Sequence, residues 1–259
     1  MFPNSIRFAV VGVCVVLAAS CADGSDGTPG TDPVAQRRPI QELAVTVAKS
    51  GAQLSVDSIK AAPVTVSVTN NTKGPYHIAF ARLNEGVSLD EVEKNIQSDK
   101  VLELITVAGS TVDAAKPGGT TEVTIQFPEG DYIALDPEAK IPFAPFSVTA
   151  ASGEYEMPES EYEVEAGDFY FEMPKTIAAG PVTLAVTNAG EQSHEMSLGF
   201  VKGGSEEGEA FMLVPAPGGT AWAEFSLEPG KYQALCYFPD PKTGKPHIKL
   251  GMRATFTVK

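Results

Sequence analysis

From about residue 41 onward the chain alternates apolar and polar positions in short runs. Val64, Val66 and Val68 are separated by Thr65 and Ser67, and Val182, Leu184 and Val186 repeat the pattern. Successive side chains of a strand point to opposite faces, so this alternation is that of a half-buried strand. Further strands are expected over 43–49, 53–58, 77–83, 121–127, 131–135 and 144–150, and then over 168–173, 195–201, 221–227, 231–237 and 252–258. Gly and Pro punctuate between them, as at Glu228, Pro229 and Gly230. One helix interrupts the series. Ser88 and Glu91 have the spacing of a capping box, and Val92 and Ile96 follow on one helical face. Many short strands with one inserted helix give an all-β fold of Greek-key sandwiches or barrels.

The strands fall into two ordered copies. PVTVSVTN at 63–70 matches PVTLAVTN at 181–188, and PGGT at 117–120 recurs at 217–220. Gly130, Tyr132 and Leu135 match Gly230, Tyr232 and Leu235, and FSVT at 146–149 matches FTVK at 256–259. Matches that keep their order mean a duplicated fold of about a hundred residues per copy, an ordinary domain size. The expected organisation is a first β-sandwich over 41–150, a Pro-rich acidic linker over 151–162 and a second β-sandwich over 163–259.

What precedes is different. Arg7 is followed by an apolar run from Phe8 to Ala19, too short to span a bilayer but suited to a signal-peptide core. It ends in LAASC at 17–21, which resembles a bacterial lipoprotein signal, with cleavage before Cys21 and lipid on its sulfur. Residues 1–20 are then a removed signal, and 21–40, rich in Gly, Pro, Ser and Asp, a flexible tether. The expected location is the outer side of a cell membrane, lipid-anchored and facing the periplasm or the extracellular side. Of the 259 residues, 43% are hydrophobic and 20% charged, enough for a packed core, and the formal net charge is -14. Nucleic acid is excluded as a partner, because phosphate binding needs a basic surface. A basic protein partner is favoured by long-range attraction.

Cysteine arithmetic then isolates one thiol. Cys14 leaves with the signal and Cys21 carries lipid, so Cys236 has no disulfide partner. An unpaired thiol in an exported protein is either an inert core residue or a metal ligand. His194 follows the turn after Asn188, and Cys236, His247 and Met252 lie in one C-terminal segment. The chain has three histidines, and two belong to this set. Thiolate, two imidazoles and a thioether suit copper, with Met as a weak axial ligand. Alternation in 231–237 puts Tyr232, Ala234 and Cys236 on one face, so Cys236 points inward at a strand end.

Residues 168–259 resemble the cupredoxin family of blue copper proteins. The resemblance rests on Asn188, Gly190 and His194, on Pro229, Gly230, Tyr232 and Cys236, and on Pro246, His247, Gly251 and Met252. It implies His194, Cys236 and His247 as equatorial ligands, Met252 as the axial one, one copper ion, and transfer of single electrons to a redox or copper-exchange partner. Two positions depart from the family pattern. Ten residues separate Cys236 from His247, and Glu195 follows His194 where the family often has Asn. A carboxylate there tunes the metal or becomes a ligand. In the first copy Asp136 takes the place of Cys236, and His77 lies within one position of the place of His194, so that copy is expected to lack metal. An enzyme is not expected, since His77 alone cannot build a second histidine-rich copper centre. The competing expectation is a structural or binding lipoprotein that uses the same scaffold without metal.

Overall fold

The computed structural model describes residues 37–98, 100–112, 114–136, 142–202 and 205–259, without the side chains of 202–209. The expected signal segment, lipidated Cys21 and the tether as far as residue 36 lie outside the described residues.

The first half contains β1 (Gln41–Ala48), β2 (Gly51–Leu54), β3 (Ser58–Lys60), β4 (Pro63–Asn70) and β5 (Ala79–Leu83), then α1 (Leu89–Asn95) and α2 (Val101–Leu104), then β6 (Ile105–Ser110), β7 (Thr120–Gln126), β8 (Gly130–Leu135) and β9 (Ala144–Thr149). The second half contains β10 (Tyr162–Gly167), β11 (Tyr170–Glu172), β12 (Thr176–Ile177), β13 (Gly180–Asn188), β14 (Glu195–Lys202), β15 (Ser205–Leu213), β16 (Thr220–Leu227), β17 (Gly230–Leu235), α3 (His247–Leu250) and β18 (Arg253–Val258).

Every strand of one half has a counterpart in the other. In the first half β2-β1-β4-β7 faces β3-β9-β8-β5-β6, and in the second β11-β10-β13-β16 faces β12-β18-β17-β14-β15. Sheet neighbours are mostly not sequence neighbours, as in Greek-key connections. The fold is therefore the all-β pair of sandwiches expected. The alternating valines do what their spacing requires: Val64, Val66 and Val68 are fully buried between Thr65, Ser67 and Thr69. Each such side chain contributes about 1.5–3 kcal/mol on burial. Tyr132 stacks on Phe146 in the first half, and Tyr232 stacks on Phe256 in the second.

The two halves share more than a linker. β16 pairs with β7 antiparallel, with Trp222 opposite Thr124, so one eight-stranded sheet runs through both sandwiches. A second junction joins β6 to the second half: Ser110 Oγ accepts from Leu213 N–H at 2.9 Å, and Ser193 Oγ accepts from Val107 N–H at 3.1 Å. One hydrophobic core continues across the junction. The segment 151–162 is held by the end of the tether: Arg38 N–H donates to Glu154 O, its carbonyl accepts from Glu156 N–H, and its guanidinium lies over the Tyr155 ring.

The structure departs from the expected elements in several places. The strand expected at 53–58 is broken at 55–57 into β2 and β3. The strand expected at 168–173 is instead a hairpin, β10 to β11, whose turn holds Asp168 and Phe169, the latter in the left-handed region at φ 71. β6, β10, β12 and β15 lay in segments with no expected strand. The capping box forms at Ser88, with α2 as an additional helical turn. Val92 buries against Ala81, Ile105 and Ile133, covering the outer face of the sheet β3-β9-β8-β5-β6. Among the described residues no helix is long and apolar enough to cross a membrane.

Because the sheet and core are continuous, the halves should unfold together. Thermal unfolding followed by far-ultraviolet dichroism and by fluorescence of Trp222, the single tryptophan, should give coincident transitions. Two transitions separated by more than about 5 °C would contradict this coupling.

Candidate metal centre

Four chain segments deliver the side chains. β17 ends at Leu235, and Cys236 follows with its sulfur in the core. The chain returns immediately to Cys236: Ile248 N–H donates to Cys236 O at 2.7 Å, and His247 N–H donates to Phe238 O at 2.8 Å. This pins α3, and with it His247, over the thiol. Gly251 ends that helical turn in the left-handed region, φ 114, which favours glycine. It turns the chain so that Met252 N–H donates to His247 O, and Met252 is fully buried in the core as β18 begins.

His194 is positioned by Asn188, the last residue of the sequence repeat. Asn188 is buried; its Nδ2 donates to Gln192 O and to Pro215 O, both at 2.9 Å, and its Oδ1 accepts from Gly190 N–H. These bonds hold the turn that ends at His194. Asn70 pins the equivalent turn of the first half through Gly74 O, Ala115 O and Thr72 N–H.

The donor atoms converge. Ligand atoms of His194, Cys236 and His247 all lie within 4.8 Å of one another, and all three residues are fully buried. His194 Nδ1 is 3.2 Å from His247 Nδ1, which is 3.5 Å from Cys236 Sγ. Ligands spaced tetrahedrally at about 2.0–2.1 Å (N) and about 2.3 Å (S) from one ion would stand roughly 3.3 Å and 3.5 Å apart, so the spacing fits a common cation. The outward nitrogens explain why both Nδ1 atoms face inward. His247 Nε2 donates to Gln192 Oε1 at 3.0 Å, which leaves Nδ1 as an acceptor facing His194 Nδ1 and Cys236 Sγ. His194 Nε2 faces Asp168 Oδ1 at 3.3 Å, short of a formed hydrogen bond and with no other partner. That carboxylate lies on the outer side of the ring, and the inner Nδ1 is within hydrogen-bonding distance of His247 Nδ1. Partners of this kind orient metal-ligating imidazoles and raise their basicity.

Gly190 makes the Asp168 contact possible. A Cβ at position 190 would stand 2.3 Å from Asp168 Oδ1 and 2.9 Å from His194 Nε2. Phe169 closes the other side, its ring edge-on to His247 at 5.1 Å between centroids. Of the three aromatic residues at 169–171, within the strand expected over 168–173, only Phe171 is buried; Tyr170 is exposed and Phe169 packs on the site. Asp168, Gln192 and Phe169 were not singled out from the sequence as parts of the site. Gln192, two residues before a candidate histidine, carries the one local signal available.

The two departures from the family pattern are absorbed locally. The residues between Cys236 and His247 fold on themselves through a Pro239–Pro246 bridge and a turn in which Asp240 O accepts from Gly244 N–H. Glu195 Oε1 accepts from Tyr237 N–H at 2.8 Å, and Glu195 N–H points to Cys236 Sγ at 3.5 Å. Its carboxylate clamps the backbone beside the thiol and is not among the converging donors. Burial raises its pKa, against the lowering effect of the Tyr237 bond.

In the first half the same place holds a different solution. β5 and β8 pair Ala79 with Leu135 as β14 and β17 pair Ser197 with Leu235. Counting from those pairs makes Tyr76 the counterpart of His194, and Asp136 that of Cys236. Tyr76 donates to Asp136 Oδ2 at 2.6 Å, closing directly the gap that the second half leaves between nitrogen and sulfur. His77 is one place away; its Nε2 lies 2.6 Å from Thr111 O and its ring packs edge-on to Phe211.

No protein-family model matches the sequence, and no curated protein matches it. Among solved structures the chain is similar to auracyanin B at 18% identity, over 40% of this chain and 93% of that one, with a TM-score of 0.29. It is similar to the auracyanin of Roseiflexus castenholzii at 17%, over 38% and 94%, with a TM-score of 0.28. A multi-copper oxidase from Pseudomonas Thermotolerans is matched at 12%, over 87% of this chain and 69% of that one, with a TM-score of 0.28. Overlaps this slight decide nothing about the site, whose chemistry rests on its own residues.

Burial sets the protonation of the metal-free pocket. Desolvation first, then the neighbouring His247, lowers the His194 pKa to about 4 against the pull of Asp168. Desolvation also lowers His247. It raises Cys236 to about 11. Below pH 6.5 the unfolded chain therefore binds protons that the folded pocket refuses, and stability falls as pH drops towards 4. Above pH 9 the unfolded thiol ionises first, and stability falls again. Each group contributes at most about 1.4 kcal/mol per pH unit. Urea midpoints of the metal-free protein should therefore fall on both sides of a plateau at pH 6.5–9, and Cys236→Ser should remove the loss that sets in at pH 9, leaving the later loss from Tyr132, whose phenol pKa burial also raises. A wild-type midpoint that stays level above pH 9 would contradict a neutral buried thiol.

Proposed function

We propose that the chain is an exported copper protein that carries single electrons, with one copper ion held by His194, His247 and Cys236 and a weaker axial contact from Met252. The observation that carries this reading is the convergence of two imidazole Nδ1 atoms, 3.2 Å apart, and a thiol sulfur 3.5 Å from one of them, in three fully buried residues. The spacing suits one cation bound by both nitrogens and the sulfur, and the donor set is soft enough to select copper. Copper in such a set alternates between two oxidation states and so accepts and gives one electron at a time.

The protein's part is to hold the donors still. Asn188 fixes the His194 turn, the Cys236 and Phe238 carbonyls fix α3, and Gln192 and Asp168 fix the imidazole orientations. Ligands that cannot relax keep the same geometry in both oxidation states, which keeps the cost of electron exchange low. Met252 is fully buried as part of the hydrophobic core, where a thioether is stable. His77, the one histidine outside the set, is engaged with Thr111 and Phe211, and we read a carrier rather than an oxidase.

Anchoring through Cys21 at the outer side of the membrane completes the proposal, with a basic redox or copper-exchange protein as partner. The strands of the eight-stranded sheet contain no lysine or arginine. Glu42, Glu122, Glu163, Glu165, Glu172 and Glu224 are exposed on them. Glu42, Thr65, Thr124, Trp222, Ala185 and Glu163 form one row across both halves. Such a face attracts a basic surface at low salt.

Purified protein loaded with copper should retain one ion per chain and absorb in the visible through sulfur-to-copper charge transfer. Cys236→Ser should abolish the band and lower copper affinity at least tenfold, while leaving the fold intact by dichroism. With a basic electron acceptor, reduction by the loaded protein should slow as salt rises. An unchanged spectrum in Cys236→Ser would overturn the ligand assignment, and a rate indifferent to salt would overturn the basic partner.

A further inference from the structure

β6 is the outer strand of the sheet β3-β9-β8-β5-β6, so its backbone groups that point away from β5 need partners outside the sheet. One such partner lies in the turn that carries His194. Val107 N–H donates to Ser193 Oγ at 3.1 Å, one residue before the histidine. Ser110 Oγ accepts from Leu213 N–H at 2.9 Å and donates its own proton to Thr111 O, so that hydroxyl is committed at both ends. The next residue, Val214, donates its N–H to His194 O at 3.0 Å. β6 thus holds the His194 turn directly through Ser193, and the segment bonded to that turn through Ser110.

A bulge aims β6 at this target. Ala79 pairs with Ser110 and Ala81 with Val107, so Ala108 and Gly109 together stand opposite Phe80. Gly109 lies in the left-handed region at φ 115, and a Cβ there would stand 3.1 Å from Ile125 Cδ1. Ala79, Val107 and Leu213 form a small apolar cluster, with Phe238 packed against it, and Phe238 O accepts the His247 N–H. Both candidate imidazole ligands therefore rest on first-half residues.

The shared fold does not demand these hydroxyls. Counting from the pairs Ala79–Ser110 and Ser197–Phe211, Phe211 is the counterpart of Ser110, and Pro75 that of Ser193. Neither serine recurs in the other copy, and both serve the junction at His194.

We propose that the first half braces the copper site: Ser193 and Ser110 are positioning residues that hold His194 at its distance from His247 and Cys236. This rests on the copper reading of the site. A copy without the ligand set thereby limits how far the His194 ring moves when the oxidation state changes.

The test is Ser193→Ala in the full-length protein. It is compared with Ser193→Thr, which keeps the acceptor oxygen, and with Thr65→Val, which removes the Thr65–Thr124 hydroxyl pair within the eight-stranded sheet. Ser110→Ala would leave the buried Leu213 N–H unmatched and cost stability as well, so half-buried Ser193 is the cleaner probe. In the metal-free protein, Ser193→Ala should speed hydrogen exchange of the Val107 amide and move the ring-nitrogen resonances of His194. Ser193→Thr should restore both, and Thr65→Val should leave both unaltered. In the loaded protein, Ser193→Ala should lower copper(II) affinity about tenfold, the lower end for groups that orient a metal ligand. Copper(I) tolerates a loosened imidazole better, so the reduction potential should rise, by about 59 mV if copper(I) affinity is unchanged. His194 resonances that stay put in Ser193→Ala, or move equally in Thr65→Val, would overturn the brace. So would a loaded Ser193→Ala protein with wild-type affinity and potential. A wild type that takes up no copper would overturn the copper reading instead, and the metal-free resonances would still decide whether β6 holds His194.

Discussion

Three donor atoms, Nδ1 of His194, Nδ1 of His247 and Sγ of Cys236, are held within 4.8 Å of one another inside a fully buried pocket. The rest of the second half can be read as the means of keeping them there. Burial opposes protonating the imidazoles and opposes ionising the thiol, so the metal-free pocket stays neutral and its members meet within hydrogen-bonding distance. A soft cation would draw on all three donors at once. The outer nitrogens are meanwhile turned to Gln192 and Asp168, which keeps the inner nitrogens directed at one another.

The duplicated fold supplies an internal comparison. Both halves end their β4-type strand in a buried asparagine that pins the following turn, and both bring that turn beside the end of the β8-type strand. In the first half a phenol and a carboxylate meet there and satisfy each other at 2.6 Å. In the second half two imidazoles and a thiol meet there, at 3.2 and 3.5 Å, with the spacing of ligands about one ion. The scaffold is common, and residue chemistry at two positions separates a closed hydrogen bond from a candidate ion site. The continuous sheet through β7 and β16 makes the first half part of the platform that carries the second.

Much of this was legible in the sequence because the relevant signals are local or repeated. The valine alternation fixed which faces of β4 and β13 are buried, and the ordered matches set the two copies in register. Period-two alternation sent Cys236 inward, and the short path from Cys236 to Met252 kept His247 nearby. Other features are set by contacts distant in sequence. Asp168 reaches His194 only because the β10–β11 hairpin turns at that point and Gly190 leaves it room. A strand drawn straight through 168–173 conceals both that turn and the placement of Phe169. β6 and β15 owe their existence to pairing with β5 and β14, not to alternation of their own. Likewise, His77 and Tyr76 are adjacent in sequence, and strand pairing alone decides that Tyr76 takes the place of His194.

The central claim is that these donors surround one copper ion. X-ray absorption at the copper edge of the loaded protein reads that coordination shell directly. The account predicts two nitrogen ligands from imidazole and one short sulfur contact near 2.2–2.3 Å, roughly the length of other metal–thiolate bonds. A shell of oxygen and nitrogen alone, without the short sulfur, would contradict it.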